Sequence, residues 1–219
     1  MTHTGVFTRL LPVLAIGLAG CFLAACSNQD SGNNPPSGAA DPTGRSPTPE
    51  LSMSGGYAVG PDGHLLKPSD GPEPQPPASP ISIGDNTPEA AEEFARYFIA
   101  VAEHAANTGD TELLKEISTE ECELCAGRAS IIDGRASNGG WTDGLRYAIS
   151  RIEPAIVFPD EKNKYAILVH LTTSGRGSYD GKTVRVLNPR DELIEIHTCF
   201  SSGKWKACGG VGADDPGSK

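Results

Sequence analysis

The chain has 219 residues, of which Gly and Pro supply 44, and only 37% is hydrophobic and 6% aromatic. Spread evenly, that mixture holds too few large apolar groups to fold as one unit along its whole length, and it excludes a multi-span membrane protein. A formal charge of -10 excludes unspecific nucleic-acid binding, which needs a basic surface to neutralise phosphates.

Residues 1–25 have the plan of an export signal. Met1 to Arg9 carries one positive side chain, and an apolar run from Leu10 to Leu23 follows. That run is too short and too rich in Gly to span a bilayer durably, and Pro12 weakens it further. Leu23-Ala24-Ala25-Cys26 resembles a bacterial lipobox, in which a peptidase cuts before a cysteine whose sulfur carries diacylglycerol. Leu18-Ala19-Gly20-Cys21 is a second candidate, but cutting there leaves Phe22-Leu23-Ala24-Ala25 on the mature end. Cys26 is therefore the expected lipidation site. The expected location is the outer face of a bacterial cytoplasmic membrane, with the diacylglyceryl chains as anchor.

Residues 26–80 read as the lipidated cysteine and a disordered tether. Positions 27–80 hold twelve prolines and eight glycines and show no sustained apolar period. Pro removes backbone donors and Gly raises chain entropy, so a packed core there does not outweigh the ordering cost. Such a coil reaches about 40 Å from end to end. One stretch, Leu51 to Leu66 with Met53, Tyr57 and Val59, is more apolar and is a candidate for docking on the folded domain.

The domain is expected over residues 81–211, with a disordered tail at 212–219. Thr87-Pro88-Glu89 reads as an N-cap, a proline at the first helical position and an acid in the first turn. Ala91, Phe94, Phe98, Val101, Ala102 and Ala105 recur at steps of three and four, one buried helical stripe. Thr108-Gly109-Asp110 stops that helix and caps a second, Thr111 to Ile117. Ser118-Thr119-Glu120-Glu121 caps a third, from about Cys122 to Ala136, which Asn138-Gly139-Gly140 breaks. From Trp141 the period becomes 2. Leu145, Tyr147 and Ile149 alternate with polar partners, as do Tyr165, Ile167, Val169 and Leu171. Strands at Thr183–Leu187, Leu193–Phe200 and Lys204–Cys208 follow. Three N-terminal helices packed on an antiparallel meander of four to six strands make an α+β fold. About 130 residues suffice for one core.

Charge divides unevenly along the domain. Residues 85–123 carry eleven acids and two bases, whereas 124–219 carry eleven acids and thirteen bases. The acidic helical layer reads as a solvated outer face.

Four cysteines remain beyond the anchor: Cys122, Cys125, Cys199 and Cys208. An even set in an exported chain reads as disulfides, and four cysteines allow three pairings. With Gly203-Lys204 as a two-residue type II′ turn, Ser202 faces Trp205 and Cys199 faces Cys208 in a non-hydrogen-bonded pair, about 4.5 Å apart at Cα. Cys122 then pairs with Cys125 across one helical turn. Loop entropy gives about 3 kcal/mol for the longer loop and about 2 kcal/mol for the shorter. A redox CxxC belongs at the head of a helix after a strand, and this one follows a helix. A zinc site needs a second close pair of ligands, which the spacing of Cys199 and Cys208 does not supply.

The lipobox, the Pro-rich tether, Thr87 to Phe98, Thr108-Gly109-Asp110-Thr111, Cys122-x-x-Cys125 and Gly139-Gly140-Trp141 together resemble an actinobacterial family of exported lipoproteins. That family is known only as a domain of unknown function. The order of elements is also similar to the nuclear-transport-factor-2-like cone, whose curved sheet and helices enclose a pocket. The resemblance implies a fold and a location, and no activity.

Enzymes on such a cone use an Asp or a His/Asp pair inside the pocket for proton transfer. Tyr97, His104, Asp133 and Trp141 are the candidate pocket residues here. His170 and His197 fall on the outer face of their strands, and His3 and His64 lie in the signal and the tether. No His-x-x-x-His, Gly-x-Ser-x-Gly or P-loop occurs. No catalytic residue, metal ligand or cofactor is assigned. The reading is a non-catalytic envelope module that binds a protein, a cell-wall polymer or a small apolar ligand. The alternative is a pocket enzyme of hydratase or isomerase type.

Overall fold

The computed structural model describes residues 52–68, 74–80 and 84–212. The signal at 1–25, Cys21, Cys26, the tether as far as Leu51 and the tail from 213 onward lie outside the described residues.

The first described element overturns part of the expected tether. Met53–Ser54 (β1) and Tyr57–Ala58 (β2) pair as a hairpin across Gly55-Gly56, both at positive φ (59° and 86°) as a type I′ turn requires. The segment after it docks. Trp141 Nε1 donates to Leu65 O at 2.8 Å, and the Tyr57 and Trp141 rings lie 5.4 Å apart. The apolar stretch thus outweighs its Gly content once Trp141 offers a surface to bury it against.

The three helices occupy the middle of the chain rather than its N-terminal part, because this hairpin precedes them. Pro88–Thr108 (α1) starts on Thr87, whose hydroxyl accepts from Ala90 N–H, and ends on Gly109 in the left-handed region (φ 81°). All six stripe residues expected from the spacing are buried. No basic side chain stands in its last turn; instead Lys67 Nζ donates to Asn107 O at 2.5 Å. The docked segment thus puts a cation on the negative end of the helix dipole. Burial lowers the Lys67 pKa, Asp143 opposing that shift. Glu112–Glu116 (α2) and Glu123–Ser137 (α3) complete the layer.

The strands do not form a simple meander. They are Trp141–Asp143 (β3), Tyr147–Ile152 (β4), Ile156–Phe158 (β5), Glu161–Thr173 (β6), Arg176–Tyr179 (β7), Val184–Leu187 (β8), Arg190–Ser201 (β9) and Lys204–Val211 (β10). One sheet runs β10-β9-β6-β4, with β5 beside β4 on the same edge of β6; β3-β7-β8 form a second. The β6–β9 ladder breaks where Ser174-Gly175 meets Asn188-Pro189. Proline has no N–H to give a ladder, so the chain bends there and β7–β8 swing away to join β3.

The core fills the space between α1 and the long sheet. Phe94, Phe98 and Val101 meet Ile167, Val169, Ile194, Ile196 and Trp205, all buried, with Ile149 half-buried at the margin. The β10 edge is covered: Ala207 N donates to Ile117 O, and Thr119 N to Ala207 O. Covering it removes an edge that would otherwise template pairing with another chain.

Both cysteine pairs stand at disulfide distance, Cys122 with Cys125 (Cα separation 5.2 Å) and Cys199 with Cys208 (5.9 Å). The second pair forms by a different register from the expected one. Ser202 and Gly203, at φ 53° and 73°, make the turn, so Ser201 faces Lys204 and Cys199 faces Lys206. A bulge between Ala207 and Gly209 then leaves Cys208 unpaired in the ladder and brings it within reach of Cys199.

Candidate functional site

A cavity of about 290 Å³ lies between one face of α3 and the end of the long sheet. The α3 side supplies positions 123, 124, 127, 128, 131, 132 and 135, a two-column stripe one helical face wide. Ala102 and Ala106 of α1 add an apolar wall. Ile131 contributes a large apolar side chain that is 46% exposed into this open space.

The polar part of the lining is mostly guanidinium: Arg128, Arg135, Arg176 and Arg190, against the carboxylates of Glu123 and Glu192. Arg128 Nη1 donates to Tyr147 Oη at 2.9 Å, and its guanidinium carbon sits 5.9 Å from the Tyr147 ring centroid. Arg135 Nη1 donates to Thr142 Oγ1 at 2.8 Å. Glu192, whose side chain is only 7% exposed, accepts at one oxygen from Thr173 Oγ1 (2.7 Å) and from Arg190 Nε. The sheet register makes this set: Thr173 is paired with Arg190 on the neighbouring strand, two residues from Glu192. Among the described residues, Arg176 forms no ion pair.

The four residues expected to line a pocket do not converge and none lines this cavity, although Asp133 lines a second one on the other side of α3 and Trp141 a small cleft beside Gly140. Tyr97 is buried beside Phe94, and burial, then Glu116, raises its pKa. His104 is half-buried, and its Nδ1 finds no hydrogen-bond partner among the described residues. Asp133 faces the opposite side of α3, where it accepts from Thr111 Oγ1 (2.6 Å) and Lys115 Nζ (2.7 Å). Trp141 is committed to the docked hairpin segment and to Tyr179, 5.8 Å away. Tyr97, Asp133 and Trp141 are each held by a packing or polar partner.

Residues 67–209 match the model of a family described as "Family of unknown function (DUF6318)". The chain belongs to that family. The hairpin lies wholly before the matched stretch. No curated protein matches the chain. Solved structures that are similar to it in fold include two at low identity. One is the intermembrane space region of chloroplast protein ARC6, at TM-score 0.46 and 14% identity, covering 57% of this chain and 95% of that one. The other is an NTF2-like protein with a cystatin-like fold from Novosphingobium aromaticivorans, at TM-score 0.36 and 22% identity, covering 58% and 84%.

In this DUF6318 member no histidine among the described residues lines the cavity. His170 Nε2 lies 2.8 Å from Glu153 Oε1, which Arg151 also pairs at 2.9 Å. His197 lies 2.5 Å from Glu195 Oε1 and packs edge-on against Phe158. Among the described residues no cluster of three His, Cys, Asp or Glu side chains is arranged to hold a metal ion, and no helix is long and apolar enough to cross a membrane. The arginines that line the cavity were missed because no motif marks them. The available signals were Arg128 and Arg135, seven apart on one helix, and Arg190-x-Glu192 on one strand face.

Asp133 yields a pH prediction. The hydrogen bond from Lys115, then that from Thr111, holds its carboxyl below the usual value of 3.8. Glu153, bonded by His170, and Asp180, bonded by the Thr183 and Lys182 amides, are lowered likewise. A lowered folded pKa adds stability that is complete above the unfolded value and is lost as pH falls below it. Thermal melts stepped from about pH 6 to about pH 3 should show the midpoint falling mainly at the acid end, with a shallower fall in Asp133→Asn.

Proposed function

We propose that the chain is a lipid-anchored protein of an actinobacterial cell envelope whose domain is a cone-like, non-catalytic binding module for a small apolar ligand. The lipobox at Cys26 and two disulfides in the domain support export and anchoring at the outer face of the cytoplasmic membrane. The observation that carries the binding reading is the cavity itself. One side of its wall is aliphatic, it opens to solvent, and no His, Cys, Ser, Asp or Lys lines it among the described residues. An envelope protein or a cell-wall polymer needs a wider surface than this concave site.

Glu192 favours a second reading, a hydratase or isomerase with a carboxylate base. Its hydrogen-bonded oxygen is already engaged by Thr173 and Arg190, so the side chain serves better as a strut for Arg190 than as a base.

Gly127 offers a clean test. It lines the cavity, and a Cβ added there meets nothing within 4 Å. Replacing a helix-interior Gly by Phe also removes roughly 0.3–0.5 kcal/mol of propensity cost. Gly127→Phe should therefore fold while filling the cavity. The neutral fluorophore N-phenyl-1-naphthylamine should brighten on the native chain and not on this variant; equal brightening on both rejects the cavity as the site. For the anchor, metabolic palmitate labelling should vanish in Cys26→Ser, and labelling that persists rejects it.

A further inference from the structure

The cavity carries more information than its apolar wall. Four guanidiniums and two carboxylates line it, a local excess of positive charge on a chain whose formal charge is -10. Positive side chains concentrated in a cleft of a negative molecule are not a by-product of composition. They focus potential inside that cleft. Arg128 is held in place by a neutral partner, Tyr147, so that bond leaves its charge uncompensated, and Arg135 is oriented by its bond to Thr142. Arg190 is steered by the buried Glu192, and Arg176 forms no ion pair among the described residues.

Resting on the binding reading above, we infer that the cavity takes a single-chain amphiphile with an anionic head. The tail lies along the wall made by Ala102, Ala106, Leu124 and Ile131, and the head sits among the guanidiniums of Arg128, Arg176 and Arg190. The volume holds about ten water-sized groups, which suits a medium-length chain. The guanidinium fork matches carboxylate and phosphate oxygens alike, so a fatty acid and an alkyl phosphate share the chemistry that is read. A neutral or cationic head of the same length desolvates the arginines without compensation.

The test uses the full chain with bound N-phenyl-1-naphthylamine, displaced in turn by decanoate, decyl phosphate, 1-decanol and decyltrimethylammonium. One or both anions should displace it at least about tenfold more effectively than decanol, the size of one charge-assisted hydrogen bond. The tighter of the two identifies the head group. Arg176→Gln and Arg128→Gln should each shrink that ratio severalfold. Lys162→Gln removes the same charge from an exposed position outside the cavity and should leave the ratio as it was. Equal displacement by anion and alcohol, or a ratio that Lys162→Gln shrinks as much as Arg176→Gln does, overturns the anionic head while the binding reading stands. A fluorophore that never brightens on the native chain removes both readings.

Discussion

Phe94→Ala should destabilise the domain by about 3–5 kcal/mol and lower its melting midpoint by about 10 °C or more. Phe94 is 1% exposed and sits where α1 meets the far edge of the long sheet, its ring 6.4 Å from that of Trp205 and 6.5 Å from that of Tyr97. Trp205 is held in turn by Tyr165 and Phe200, and its Nε1 donates to Asp85 O at 3.0 Å. These partners restrict collapse, so truncation leaves a void instead of a repacked core. Small domains have about 5–15 kcal/mol in total, so this one change removes a large share. Urea unfolding measures it: the midpoint should drop with an unchanged slope. A loss below about 1 kcal/mol places the ring outside the core.

Asn107→Ala should cost about 2–4 kcal/mol, although it deletes few atoms. Asn107 is buried in the last turn of α1, and its amide completes the backbone of a segment with no ladder of its own. Nδ2 donates to Leu145 O (2.9 Å) and to Glu103 O (3.0 Å), while Oδ1 accepts from Leu145 N–H (3.1 Å). Alanine leaves the N–H of buried Leu145 unpaired and its carbonyl with only the long 3.4 Å bond from Arg146 Nη1, so desolvation of that backbone is no longer offset. Asn107→Asp should be no milder, because it sets a carboxylate oxygen against Leu145 O and removes the donor. Hydrogen exchange distinguishes this from a general loosening: the Leu145 amide should lose protection more than the amides of the long ladder do.

These two residues mark how far the sequence was legible. Phe94 belongs to a stripe with a period that any packing of an amphipathic helix must respect, and its burial followed from spacing. Asn107 carries no such signal. A polar side chain near a helix end is usually a cap or a solvated residue, and its partner stands 38 positions later. The hairpin at β9–β10 shows the intermediate case. Gly203 announced a tight turn, but two-residue turns of types I′ and II′ place glycine at different positions, and the choice shifts the register. The pair Cys199–Cys208 was recovered because a bulge compensates that shift, which no local pattern foretold.

The cavity was illegible for a similar reason. Tyr97, His104, Asp133 and Trp141 were singled out for the chemistry of their side chains, and the structure gives Tyr97, Asp133 and Trp141 packing or polar partners elsewhere. The lining arginines come from α3, β7 and β9, elements far apart in the chain. They meet because β6 and β9 pair over ten positions while the intervening hairpin bends out at Gly175 and Pro189.

Short-range physics was enough to settle the α+β class and the limits of α1 and its buried face, because caps, periods and turns act over a few residues. Long-range pairing was decided by the folded structure alone. The docking of residues 52–68 on Trp141, the β6–β9 ladder, the register of the last hairpin and the arginine-lined cavity all depend on which distant surfaces gain most by burial together. That gain is a property of the assembled shape, and side-chain spacing along one segment does not encode it.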